Sequence, residues 1–95
     1  MAFSFEWDAR KAAENLANHG VSFGEAITVF GDPLGRIVPD RRHSIGEPRF
    51  VLLGETPTGR LLAVMFTDRG EDRVRVISAR RATRHERSEY EESQG

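Results

Sequence analysis

Apolar and polar residues alternate over Phe3-Ser4-Phe5-Glu6-Trp7, the two-residue period of a short strand. The period changes at Asp8, a helix N-cap, after which Ala9, Ala12, Ala13, Leu16 and Ala17 recur at helical spacing as one small-residue stripe. Trp7 and Ala12 fall where a hydrophobic staple brackets that cap. His19-Gly20 closes the helix, the glycine taking a left-handed conformation and the histidine meeting the negative end of the dipole. Ser22-Phe23-Gly24-Glu25 reads as a capping box for a second helix, with Phe23, Ala26, Ile27 and Phe30 as its stripe and Gly31-Asp32-Pro33 as its stop. Both stripes are expected on one sheet face.

From residue 35 the pattern becomes that of strands. Arg36-Ile37-Val38-Pro39 is short, and its proline places it at an edge. A polar loop covers 40–48. Arg49 to Glu55 and Arg60 to Thr67 are near-continuous apolar runs, expected as central strands joined by the turn Thr56-Pro57-Thr58-Gly59. After the polar stretch 68–72, Arg73-Val74-Arg75-Val76-Ile77 alternates, setting Arg73 and Arg75 on one face and Val74 and Val76 on the other. Thr83-Arg84-His85-Glu86 is a further capping box, opening a helix that runs to about Glu92. The expected order is β-α-α-β-β-β-β-α over a single domain, 1–95. It is an α+β fold with an antiparallel meander, two N-terminal helices on one sheet face and a C-terminal helix.

The 95 residues are 38% hydrophobic and 31% charged, enough apolar surface for one small core. No apolar run approaches a membrane span and no secretory signal pattern follows Met1, so a soluble, cytoplasmic protein is expected. With no cysteine, disulfides, thiol catalysis and cysteine zinc sites are excluded. The net charge of −1 hides an uneven layout. Residues 1–32 carry two basic and five acidic side chains, 33–87 twelve arginines against seven acids, and 88–95 three glutamates. A basic centre between acidic ends suits a domain that meets a polyanion through one face, and guanidinium grips phosphate in a planar, two-pronged way. An arginine-favouring codon bias produces the same composition.

An ordered string of motifs then stands out: Phe5-Glu6-Trp7-Asp8, Lys11, Asn15, His19-Gly20-Val21-Ser22-Phe23, Glu25-Ala26, Val29-Phe30, Asp32-Pro33, His43-Ser44, Glu47, Arg49, Gly54, Gly59-Arg60, Ile77-Ser78-Ala79-Arg80 and Glu86-Arg87 through Tyr90. It resembles the BrnT family, also called domain of unknown function 497, over residues 3–91. Members are toxins of bacterial type II toxin–antitoxin pairs. The resemblance implies a RelE-like fold, metal-independent RNA cleavage, inhibition of translation, and neutralisation by a BrnA-like antitoxin from the adjacent gene. It also implies contact with operator DNA only through the antitoxin complex. Two positions depart from the usual pattern: Asn18 replaces a lysine, removing a cation from the first helix end, and Pro48 stiffens the approach to the next strand.

Cleavage of that kind needs a 2′-hydroxyl deprotonated, charge on the phosphate stabilised and the leaving 5′-oxygen protonated. His43, with Asp40 and Glu47 close by, is the candidate for proton transfer; a turn-capping role is the structural alternative. Arg80 follows the last strand, where a guanidinium can project over the sheet end, and its structural alternative is a salt bridge to Glu86. Arg49, Arg73 and Arg75 are expected to line an RNA-backbone groove, though a solvated sheet face has the same pattern. Tyr90 is the remaining catalytic candidate, able to donate a proton or stack a base, or else to pack its helix on the sheet. Lys11 and Asn15 read as a surface network. His85-Glu86-Arg87-Ser88-Glu89 lacks the second histidine of a zinc helix, so no metal or other cofactor is expected. No glycine-rich phosphate loop or serine elbow is present. The leading expectation is an endoribonuclease toxin; the alternative is a noncatalytic binding module acting as antitoxin partner and transcriptional co-repressor.

Overall fold

The computed structural model describes residues 3–40 and 46–92. The elements run β1 (Ser4–Glu6), α1 (Ala9–His19), α2 (Phe23–Ala26), a 3-10 helix (Ile27–Gly31), β2 (Arg36–Pro39), β3 (Phe50–Glu55), β4 (Leu61–Gly70), β5 (Arg73–Arg81) and α3 (Arg84–Glu92). The sheet order is β1-β5-β4-β3-β2, with β2 at one edge. β2 through β5 pair antiparallel, but β1 lies parallel to β5, with Phe5 opposite Val74. The wholly antiparallel expectation is thus corrected to a mixed sheet. No local turn sets the direction of β1 against a strand so far along the chain, and alternation is the same for either direction.

Strand alternation sorts the core into two layers. Val21, Phe23, Ala26 and Val29 pack on Leu52, Leu62, Val64, Phe66, Val74, Val76 and Ala79. On the opposite face Leu53, Leu61 and Ala63 pack against Tyr90 of α3. The run Leu61 to Phe66 is continuously apolar because it feeds both layers in turn. Gly54 permits close contact between β3 and the 3-10 helix: a Cβ there would stand 2.9 Å from Val29 Cβ.

The local signals place the helix ends. Asp8 accepts from the Lys11 amide at 3.0 Å, and Gly20, at φ 67°, donates to the Leu16 carbonyl at 2.9 Å. Ser22 caps α2, but Glu25 turns to Arg60 instead of closing the box. β4 and β5 extend beyond their apolar stretches, so the polar residues 68–72 shrink to a two-residue turn with Glu71 and Asp72 at φ 53° and 60°.

The first helix meets the sheet differently from the expectation. Ala9, Ala13, Leu16 and Ala17 are exposed, Leu16 by 52%, while Ala12 and Asn15 face inward. Asn15 is only 6% exposed. Its amide nitrogen donates to the carbonyls of Ala79 and Val21 at 2.8 and 2.9 Å, and its oxygen accepts the Ala79 amide at 3.0 Å. The three-residue β1 ends opposite Arg75, so the Ala79 backbone lacks a strand neighbour on that side and the carboxamide takes its place. That requirement turns α1 and leaves its small-residue stripe to solvent. Among the described residues, no helix is long and apolar enough to cross a membrane.

Candidate functional site

β5 carries Arg73, Arg75 and Arg80. Arg75 pairs opposite Thr67 and Arg80 opposite Ala63, so both belong to the sheet face on which α3 packs, as does Arg73 by alternation. A register shift between Met65 and Phe66 absorbs one residue of β5 and keeps Arg80 on this face despite its odd separation from Arg75. Arg49 lies just ahead of Phe50, and alternation through Val51 puts it on the same face. The face therefore holds a line of guanidinium groups on two strands.

At its α3 end the Arg80 guanidinium meets Glu86 in a two-pronged pair, Nη1 to Oε1 at 2.6 Å and Nη2 to Oε2 at 3.0 Å. The capping box fixes the carboxylate. Thr83 donates its amide to Oε1 at 2.9 Å, and the Glu86 amide donates back to Thr83 Oγ1 at 3.1 Å. The hydrogen bond from Arg80, helped by the Thr83 amide and outweighing burial, holds the Glu86 carboxyl below its ordinary value. Arg80 Nη1 also reaches the Arg81 carbonyl at 3.3 Å. Its Nε–H and one N–H of Nη2 engage no acceptor among the described residues.

The other sequence candidates are dispersed. Arg75 pairs with Glu6 of the neighbouring strand at 3.0 Å, and Arg73 is exposed with no ion pair among the described residues. Glu47 pairs with Arg69 at 2.8 Å. Tyr90 is 5% exposed inside the second core layer, and its hydroxyl donates to Asp32 Oδ2 at 2.6 Å, the packing role that sequence left open. His43 lies outside the described residues. Among the described residues, no group of three or more His, Asp or Glu is placed to hold a metal ion.

One group emerges that sequence reading assigned elsewhere, and one pairing it offered as a structural alternative is formed. Asp32, read as a helix stop, accepts from the Leu34 and Glu55 amides and from Tyr90. Burial raises its pKa, but these donors outweigh burial and hold it below the ordinary value. Glu86, read as a cap and as the salt-bridge partner in the structural alternative for Arg80, fills both places: it closes the capping box with Thr83 and forms the salt bridge.

The family profile described as "Ribonuclease toxin, BrnT, of type II toxin-antitoxin system" matches residues 7–86. The 1.1 Å crystal structure of the Brucella abortus ribonuclease toxin BrnT is similar in fold, with a TM-score of 0.67 at 25% identity, covering 87% of this chain and 100% of that one. No curated protein matches at significance. Since the profile spans most of the chain and the fold agrees, the chain belongs to the BrnT family of ribonuclease toxins of type II toxin–antitoxin systems.

Proposed function

We propose that this chain is a metal-independent endoribonuclease that arrests translation, with Arg80 as the cation at the scissile phosphate. The carrying observation is the Arg80–Glu86 pair, which holds a guanidinium at the end of an arginine-lined sheet face with two N–H groups left over. A fixed donor loses no freedom as charge grows on the phosphate, which is why preorganised donors outperform mobile ones. The 2′-oxygen attacks phosphorus and gives up its proton, the bond to the 5′-oxygen breaks, and that oxygen takes a proton. His43 is proposed for the proton transfers, with Glu47 as the remaining catalytic candidate from sequence; Tyr90, buried with its hydroxyl on Asp32, is not retained as one. Arg49, Arg73 and Arg75 hold the flanking backbone. A BrnA-like antitoxin from the adjacent gene is the proposed partner, and operator DNA is met only through that complex.

The test is cleavage of RNA by the purified chain in EDTA. The wild type is expected to cut, and Arg80→Ala to lose roughly 10²–10³ in rate with its fold retained. A folded Arg80→Ala chain cutting at the wild-type rate overturns the role of Arg80. Activity abolished by EDTA and restored by a divalent ion overturns metal independence. No cleavage by the folded wild type under any of these conditions leaves the noncatalytic, antitoxin-binding reading.

A further inference from the structure

The ends of β4 and β5, next to α3, enclose a pocket of about 350 Å³ lined by Gly59, Arg60, Leu61, Arg81, Ala82 and Arg87. Three of these six residues carry guanidinium and none carries a carboxylate. Arg60 is neutralised by Glu25 at 3.0 Å, and its Nε is buried without a hydrogen-bond partner. Arg81 and Arg87 are exposed and form no ion pair among the described residues. Two uncompensated positive charges thus line one concave site, beside a third arginine already paired with Glu25. Like charges held together repel, and an anion between them removes that cost.

We propose that this pocket is a phosphate-binding subsite that grips the RNA backbone beside the reacting position. This rests on the ribonuclease reading, because Arg81 directly follows Arg80 and the two side chains leave the strand on opposite faces. A strand of RNA with one phosphate at Arg80 crosses the sheet end and brings a neighbouring phosphate to Arg81 and Arg87. An acidic protein segment is the less fitting occupant. The apolar part of the lining is Leu61, already buried in the core, and Ala82, which offers little area for the apolar anchor of a protein interface.

The experiment measures binding of uncleavable 2′-O-methyl RNA, about eight or about two nucleotides long, to the whole chain at about 50 and about 200 mM salt. Arg81→Gln/Arg87→Gln is compared with Arg10→Gln/Lys11→Gln, which removes the same charge from the far helix. Removing two phosphate contacts to a single strand lowers the salt slope by about 1.4, so the pocket variant loses about seven-fold less affinity between the two salts than the wild type. It binds the longer RNA more weakly, while its affinity for the dinucleotide changes little. In cleavage assays KM rises more than kcat falls, and the thermal midpoint stays near that of the wild type because both side chains are exposed. Wild-type affinity and salt slope in the pocket variant overturn the proposal, as does an equal effect in the helix variant, or no binding of the longer RNA by the wild type. Unchanged RNA binding with weakened antitoxin binding assigns the pocket to the protein partner instead. If the chain never cleaves RNA but the pocket variant still loses RNA affinity, the ribonuclease reading fails and the subsite stands.

Discussion

Glu86 and Arg80 share one carboxylate–guanidinium fork, and the oxygen 2.6 Å from Arg80 Nη1 also accepts the Thr83 amide that begins α3. The first turn of the last helix and the orientation of the Arg80 guanidinium therefore depend on the same group. Glu86→Gln keeps an acceptor for Thr83 but loses the charged fork, so kcat is expected to fall about ten-fold or more while α3 stays helical by circular dichroism. Arg80→Lys is expected to behave like the loss of Arg80, because a point charge cannot fill a two-pronged site. Wild-type kcat in the Arg80→Lys variant removes the argument from geometry.

Acid stability follows from Glu86 and Asp32, both held below their ordinary pKa values. A carboxylate with a depressed folded pKa contributes stability that is complete above its unfolded value and is lost as pH falls through the folded value. From about pH 4 downward the unfolded chain takes up protons first, so unfolding becomes easier. Asp32→Asn and Glu86→Gln are each expected to lower the urea midpoint at pH 7 and to flatten its fall in acid. Slopes parallel to the wild type would mean that other carboxylates govern acid unfolding.

Asn15→Leu removes three bonds, two that complete the open edge of β5 at Ala79 and one to the Val21 carbonyl. The Ala79 amide and the carbonyls of Ala79 and Val21 then lose these partners in a buried place, at a cost of about 3 kcal/mol or more. Urea unfolding measures this directly. A loss within about 0.5 kcal/mol, the range of an ordinary surface substitution, would show that water replaces the carboxamide.

The arginine face also makes a prediction about the antitoxin. A partner that silences the toxin by covering Arg73, Arg75 and Arg80 is steered there by opposite charge. Association with the protein from the adjacent gene is expected to slow with added salt and to weaken when Arg73 and Arg75 are both changed to Glu. Because Glu6 sits against Arg75, the thermal midpoint of the variant is measured alongside. A complex in which the antitoxin leaves these arginines open to solvent shows inhibition without coverage of the face.

What the sequence by itself determined is what depends on near neighbours. Asp8, Ser22 and Thr83 cap helices because a hydroxyl or carboxylate reaches an amide three residues on, and Gly20 ends α1 because its own φ is left-handed. Alternation put Arg73 and Arg75 on one face, and the ordered motifs pointed to the BrnT family that the profile and fold support. Tertiary structure alone decided the parallel seating of β1, the inward turn of Asn15 and the Tyr90–Asp32 bond. The latter two join residues 64 and 58 positions apart. Such contacts exist only after distant elements meet, and a polar side chain such as Asn15 carries the same local pattern whether it faces water or completes a sheet edge.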